Sequence, residues 1–213
     1  MITMADSRIG LEIAGPRSRG YTPGVPRSTV QIIILVVLLS TSSVAHAMKK
    51  ELQAGDAAPE FSLVDQNGKL QQLSAFRNHW LVLYFYPKDD TPGCTREACS
   101  FRDDYLKLAK LNAEILGISI DNEKSHAAFS SKYHLPFPLL SDSDGKIADA
   151  YGSYFSFGPL KFARRHTFII DPAGKIAAIY RKVEPGKHSD QILKDLSALQ
   201  KNWKPGQVPE KAN

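Results

Sequence analysis

Cysteine is nearly absent from this 213-residue chain, which has two, Cys94 and Cys99. They are too few for a disulfide scaffold, and they do not form a Cys-x-x-Cys, which disfavours an ordinary disulfide oxidoreductase. The six histidines (His46, His79, His126, His134, His166 and His188) are scattered without metal-ligand spacing, and none is close in sequence to the cysteines, so no zinc pattern forms. There is also no basic stripe. The formal charge is +5, and beyond residue 47 it is +3, from 23 basic against 20 acidic residues. A slight excess spread along the chain is no footprint for nucleic acid. Long apolar runs are missing too: the longest, Val30 to Leu39, is about half of the roughly 20 residues a membrane span needs. Internal repeats are absent.

What is present begins with a targeting pattern. Arg17, Arg19 and Arg27 precede "VQIIILVVLL", and small polar residues lead to Ala45-His46-Ala47. Basic region, short apolar core and small-x-small triplet are the order of a secretory signal. Cleavage after Ala47 leaves a chain starting at Met48, which is then exported, with a periplasmic address expected. A retained signal would instead anchor it to a membrane. No function attaches to residues 1–28. Residues 48–213 are expected to form a single domain.

Within that domain, strand and helix patterns alternate. "EFSLVDQNGKLQQLSAF" is expected to form an opening hairpin around Asn67-Gly68. "WLVLYFYP" (Trp80 to Pro87) has the unbroken apolar character of a strand buried on both faces. From Pro92 to about Leu111, helical spacing sets Ala98, Phe101, Tyr105 and Leu108 on one side. "AEILGISI" is a second buried strand, and "NEKSHAAFSSKYH" a helix closed by Leu135-Pro136. A short extended piece near Phe137 to Leu140, the turn "DSDG" and a helical turn at "KIADAYG" follow. "RHTFIIDPAGKIAAIYRKV" is expected as a hairpin, and "HSDQILKDLSALQKNW" as an amphipathic last helix before the polar tail "KPGQVPEKAN". The order predicts an α/β domain: a central mixed β-sheet flanked by helices, with an amino-terminal β-hairpin, which suits a thioredoxin-like fold.

Both cysteines fall just after the central strand, in "TPGCTREACS". Thr91 suits an N-cap and Pro92 the first helical position, which places Cys94 in the first turn. Unpaired backbone N–H groups and the positive end of the helix dipole favour an anion there, so Cys94 reads as reactive, against the alternative of an inert buried thiol. In an intact helix, residues five apart lie about 8–9 Å from each other at Cα, whereas a disulfide needs less than about 7 Å. A bond between Cys94 and Cys99 therefore requires the helix start to unravel. Such a bond suits a transient role better than a permanent one.

"YFYPKDDTPGCTREACSFRD", read with "ARRHTFIID", resembles the peroxiredoxins. Pro87-x-x-x-Thr91-x-x-Cys94 matches their active-site signature, and Cys99 five residues on resembles the bacterioferritin-comigratory protein (peroxiredoxin Q) subgroup. The resemblance implies a cofactor-free, metal-free thiol peroxidase on a thioredoxin fold, acting on hydrogen peroxide or organic hydroperoxides. Carried over by position, Cys94 is the peroxidatic cysteine and Cys99 the resolving one. A thioredoxin-like donor reduces the disulfide. Thr91 and the N–H groups of Gly93 and Cys94 can polarise the peroxide oxygens, and a strand arginine completes the set. Arg165 is favoured over Arg164, because it stands two before Thr167 and neighbours on a strand face opposite ways. Pro87 shields the sulfur or simply ends the strand. Glu97 pairs with the arginine or is a solvated helix carboxylate; Asp89 and Asp90 are expected to be solvated. Relatives carry a longer Lys- and Gly-rich segment where this chain has "GSYFSFGPLKFA". Its Phe155, Phe157 and Phe162 are read as core or dimer contacts rather than pocket lining, in a monomer or weak dimer. The rival readings are a non-enzymatic redox-sensing module and a protein-thiol oxidoreductase.

Overall fold

The computed structural model describes residues 50–204. The signal-like segment around Val30 to Ala47 and most of the tail lie outside the described residues.

The fold is organised by the apolar run of strand β3 (Trp80–Phe85), every residue of which is buried. It sits third in a five-stranded sheet, paired in parallel with β4 (Ala113–Ser119) and antiparallel with β8 (His166–Ile170). Beyond these, β5 (Leu139–Ser141) extends one edge in parallel and β9 (Ile176–Tyr180) the other in antiparallel sense. A separate hairpin, β1 (Ser62–Val64) and β2 (Leu70–Gln72), turns at Gly68, whose φ of 77° suits a residue without Cβ. A mixed sheet covered by helices is the architecture expected from the alternation, and it is a thioredoxin-type fold.

Because side chains alternate along a strand, β3 supplies two separate cores. Trp80, Val82 and Tyr84, with Tyr86 just beyond, pack on one face against α1 (Pro92–Asp103), α2 (Tyr105–Lys110), α3 (Glu123–Tyr133) and α5 (His188–Asn202), through Cys94, Phe101, Leu108, Phe129, Ile192 and Leu196. Leu81, Leu83 and Phe85 face the other way, against Phe61, Tyr151 and Ala148 of α4 (Lys146–Ala150). Each fully buried Leu or Ile contributes about 1.5–3 kcal/mol, so both faces matter to stability. At the start of β3, Trp80 meets Trp203 edge-on at 6.1 Å, which docks the end of α5.

Two local expectations are revised. The helix expected from Pro92 to about Leu111 breaks at Asp104. Its buried carboxylate accepts hydrogen bonds from the Ser189 hydroxyl at 2.6 Å and from Lys107 at 2.7 Å, partners that favour a corner over a straight helix. Helix α3 keeps the expected bounds, capped by Asn122 and ending at His134 in the left-handed region (φ 53°), just ahead of Leu135-Pro136. The aromatic segment forms a hairpin of its own, β6 (Tyr154–Phe157) and β7 (Leu160–Ala163). Phe155 and Phe162 stack across it at 4.7 Å, while Phe157 at its tip is 77% exposed. Of the three phenylalanines, then, the first two pair with each other and the third faces solvent.

Candidate active site

β3 ends at Phe85, and the chain crosses Pro87 to Thr91 before α1 starts at Pro92. Thr91 is the N-cap in extended conformation, and its carbonyl accepts the Thr95 N–H at 2.9 Å. Its hydroxyl does not cap the helix; it donates to the Lys88 carbonyl at 3.1 Å, within the loop. The first-turn N–H groups are therefore left for another acceptor, and Cys94 stands in that turn. The Cys94 side chain is directed into the core, leaving the residue 1% exposed. Cys99 is half-buried further along the same helix. Both are free thiols in a continuous α1, so the spacing argument for unravelling applies to the structure as it stands.

Arg165 reaches the sulfur from the residue just before β8. One guanidinium nitrogen, Nη2, donates to Cys94 Sγ at 3.2 Å, and Nη1 donates to Glu97 Oε2. Gly93 makes room for it: a Cβ there would lie 3.2 Å from Nη2. Arg164, the rival, faces outward with its guanidinium over the Phe155 ring at 5.6 Å. Between these two arginines, only Arg165 hydrogen-bonds the cysteine. Pro87 is partly buried at the end of the strand.

Glu97 is not solvated. It is fully buried one helical turn beyond Cys94, and its Oε1 has no hydrogen-bond partner among the described residues. Burial pushes its carboxyl up from 4.5 to about 7, against the opposing pull of Arg165. For Arg165, burial alone would lower the value, but the neighbouring Glu97 and Cys94 outweigh it and raise it. Since Glu97 titrates near 4.5 unfolded and near 7 folded, the folded state holds more protons between those values, and stability falls as pH rises through that window. The full shift is worth about 3 kcal/mol. His166 and His188, each lowered from 6.5 to about 4 chiefly by burial, act oppositely, adding stability as pH rises from about 4 to 6.5. Comparison with Glu97→Gln isolates the carboxylate. The variant is expected to gain up to about 3 kcal/mol on the parent protein between pH 4.5 and 7.5, read from urea midpoints by circular dichroism. A difference independent of pH would show that Glu97 does not titrate in that range.

Asp89 is also not solvated: it is buried and accepts from the hydroxyls of Tyr86 and Ser125, both at 2.7 Å, with His126 Nδ1 at 2.8 Å. Asp90 stays half-exposed but is paired with Lys132. Sequence patterning missed this cluster because the partners from α3 lie 36 and 37 residues away. It also missed Tyr84, whose buried hydroxyl lacks a hydrogen-bond partner among the described residues and whose phenol is held well above its usual range by burial, then by Glu97 and Cys94. A further unforeseen contact joins His188 Nε2 to the Thr167 hydroxyl at 2.8 Å.

Comparison with known proteins identifies the family. The AhpC/TSA family matches residues 54–179. The chain is 46% identical over 162 residues to the chloroplastic peroxiredoxin Q of Populus jackii, covering 75% of each chain. It is 45% identical to that of Arabidopsis thaliana, covering 75% of this chain and 74% of the relative. Among solved structures, the peroxidoxin BcpB of Mycobacterium tuberculosis superposes with a TM-score of 0.66 at 34% identity, over 70% of this chain and 98% of the other. The bacterioferritin comigratory protein of Xanthomonas campestris, described for alkyl peroxide reduction, gives 0.63 at 36%, over 67% and 98%. A match to more than half of the chain, on a fold of the same type, decides the matter: the chain belongs to the AhpC/TSA family and, within it, to the peroxiredoxin Q group of thiol peroxidases.

Proposed function

We propose that the peroxidase reaction of this chain runs through Cys94 as nucleophile, Cys99 as resolving thiol and Arg165 as the group that fixes the sulfur. The observation carrying this reading is the Arg165 guanidinium, bridged between Cys94 Sγ and the buried Glu97 at a helix start. A fixed cation beside sulfur stabilises the thiolate. Positioned donors also stabilise the charge that develops on the departing oxygen.

The Cys94 thiolate attacks one peroxide oxygen. An S–O bond forms and the O–O bond breaks, giving Cys94 sulfenic acid and an alkoxide or hydroxide that takes up a proton. The thiolate of Cys99 then attacks the sulfenic sulfur, closing a disulfide with release of hydroxide, which leaves as water after protonation. A dithiol reductant of the thioredoxin type exchanges with the disulfide, restoring both thiols and becoming oxidised itself. Hydrogen peroxide and organic hydroperoxides are the proposed substrates; alkyl peroxide reduction by the Xanthomonas campestris relative supports the second class. Pro87 and Thr91 shape the approach to the sulfur, with Thr91 turning its hydroxyl from the Lys88 carbonyl to the peroxide. The same reading has the segment before Met48 export the chain to the periplasm as a monomer or weak dimer. The curated plant relatives are chloroplastic, and no helix among the described residues is long and apolar enough to cross a membrane.

Intact mass before and after one equivalent of hydrogen peroxide tests the chemistry. The expected product is lighter by two hydrogens, with a peptide linking positions 94 and 99. Cys99→Ser should instead gain one oxygen and stop after a single turnover with a thioredoxin-type reductant. Normal recycling by that variant would assign resolution to another thiol.

A further inference from the structure

Helix α3 grips the chain on both sides of the two cysteines. Upstream, the Asp89 carboxylate is only 7% exposed and has three donors from Tyr86, Ser125 and His126, while its own backbone N–H donates to Asp121 Oδ2 at 2.9 Å. Asp90 follows in the left-handed region (φ 55°), which is uncommon for a residue with a side chain. It is held there by the Tyr133 hydroxyl and the Lys132 ammonium, each at 2.6 Å. Downstream, Arg102 donates to the Tyr133 carbonyl at 2.9 Å. Positions 89 and 90 on one side and 102 on the other are thus fastened to one helix, with Cys94 and Cys99 between them.

A carboxylate buried in a loop is costly unless its oxygens are filled. A loop needing only to close would not require one. Here every donor to Asp89 comes from β3's extension or from α3, and none of the three hydrogen-bonds Cys94. What the cluster controls is the tether from which α1 departs, and α1 is the element that must lose its first turn before the two sulfurs can meet.

Resting on the two-cysteine reaction proposed above, we propose that Asp89 and His126 are positioning residues that set the balance between its two steps. They keep the first turn of α1 wound, with its N–H groups in place, while peroxide is reduced. By the same hold they oppose the unwinding that carries Cys94 to Cys99. Severing them slows sulfenic acid formation and quickens disulfide closure. Lost stability alone does not predict that opposite pair of changes.

Full-length Asp89→Asn and His126→Asn, with the surface variant Lys132→Ala as a milder release of Asp90, would be mixed with one equivalent of hydrogen peroxide, quenched with a thiol-blocking reagent at successive times and resolved by intact mass. In the two buried variants, the first step is expected to slow about tenfold, the scale of one lost hydrogen bond, and the second to quicken several-fold. Lys132→Ala should quicken the second step about two- to threefold, as befits an exposed pair. Both steps slowing together, or an unchanged closure rate in the folded variants, would overturn the proposal. Should the buried variants fail to fold, Ser125→Ala, which removes one donor to Asp89, takes their place, and an unchanged closure rate there does the same. If the unsubstituted protein itself forms neither sulfenic acid nor disulfide, it is the catalytic reading that fails.

Discussion

A Cys94→Ser protein is expected to lose peroxide turnover by more than about a thousandfold, the scale on which removal of a nucleophile acts, while remaining folded. Serine fills nearly the same buried space, and its hydroxyl can accept from Arg165 Nη2 as the sulfur does. What it lacks is an accessible anion at neutral pH and the soft nucleophilicity that attacks an O–O bond. Peroxide consumption with a dithiol reductant, beside a urea midpoint close to that of the parent, separates chemistry from stability. Turnover surviving in this variant would remove Cys94 from the mechanism and favour the rival that treats the fold as a redox sensor or thiol exchanger.

Arg165→Met should cost about 10²- to 10³-fold in kcat/KM, as for loss of one preorganised donor to a developing charge. Methionine keeps much of the apolar stem, so the loss measures the guanidinium. The same substitution leaves Glu97 buried without its partner, and a carboxylate in that position responds by holding its proton to higher pH. Arg165→Lys should restore only part of the rate, because a point charge cannot hold Sγ and Oε2 through two separate N–H groups as the fork does. An Arg165→Met enzyme within a fewfold of the parent would mean that the helix start alone prepares the sulfur. Together the two variants divide the work between nucleophile and field.

Much of the architecture was legible because it is written in local signals. The run Trp80 to Phe85 has no polar interruption, and such a strand has to be central; Pro92 after Thr91 marks where a helix starts. The position of Arg165 followed from a motif resemblance, and Gly93 leaves its guanidinium room beside the sulfur, since a Cβ there would crowd Nη2 at 3.2 Å, which a sequence pattern can only hint at. Where the reading went astray, the cause is distance along the chain. Asp89 looks like a loop aspartate until Ser125 and His126 fold against it, and Asp104 looks helical until Ser189 arrives from α5. Glu97 misleads for another reason. Of its two readings, an ion pair with the arginine and a solvated carboxylate, the sequence leans to the second and the structure has the first, because helical position alone does not tell which side of the helix is covered. The β6–β7 hairpin did carry a local signal, alternating aromatics around Gly158-Pro159, but with strands of only four residues the segment is weighed for what its phenylalanines touch and not as a hairpin.

The edge-on pair of Trp80 and Trp203 holds both indoles in the chain, and it lies at the opposite end of β3 from the sulfur, roughly 20 Å of strand away. Intrinsic fluorescence of this protein therefore reports whether the last helix is seated on the sheet and stays nearly silent when the thiols change oxidation state. An emission change during turnover would mean that opening at one end of the strand is felt at the other.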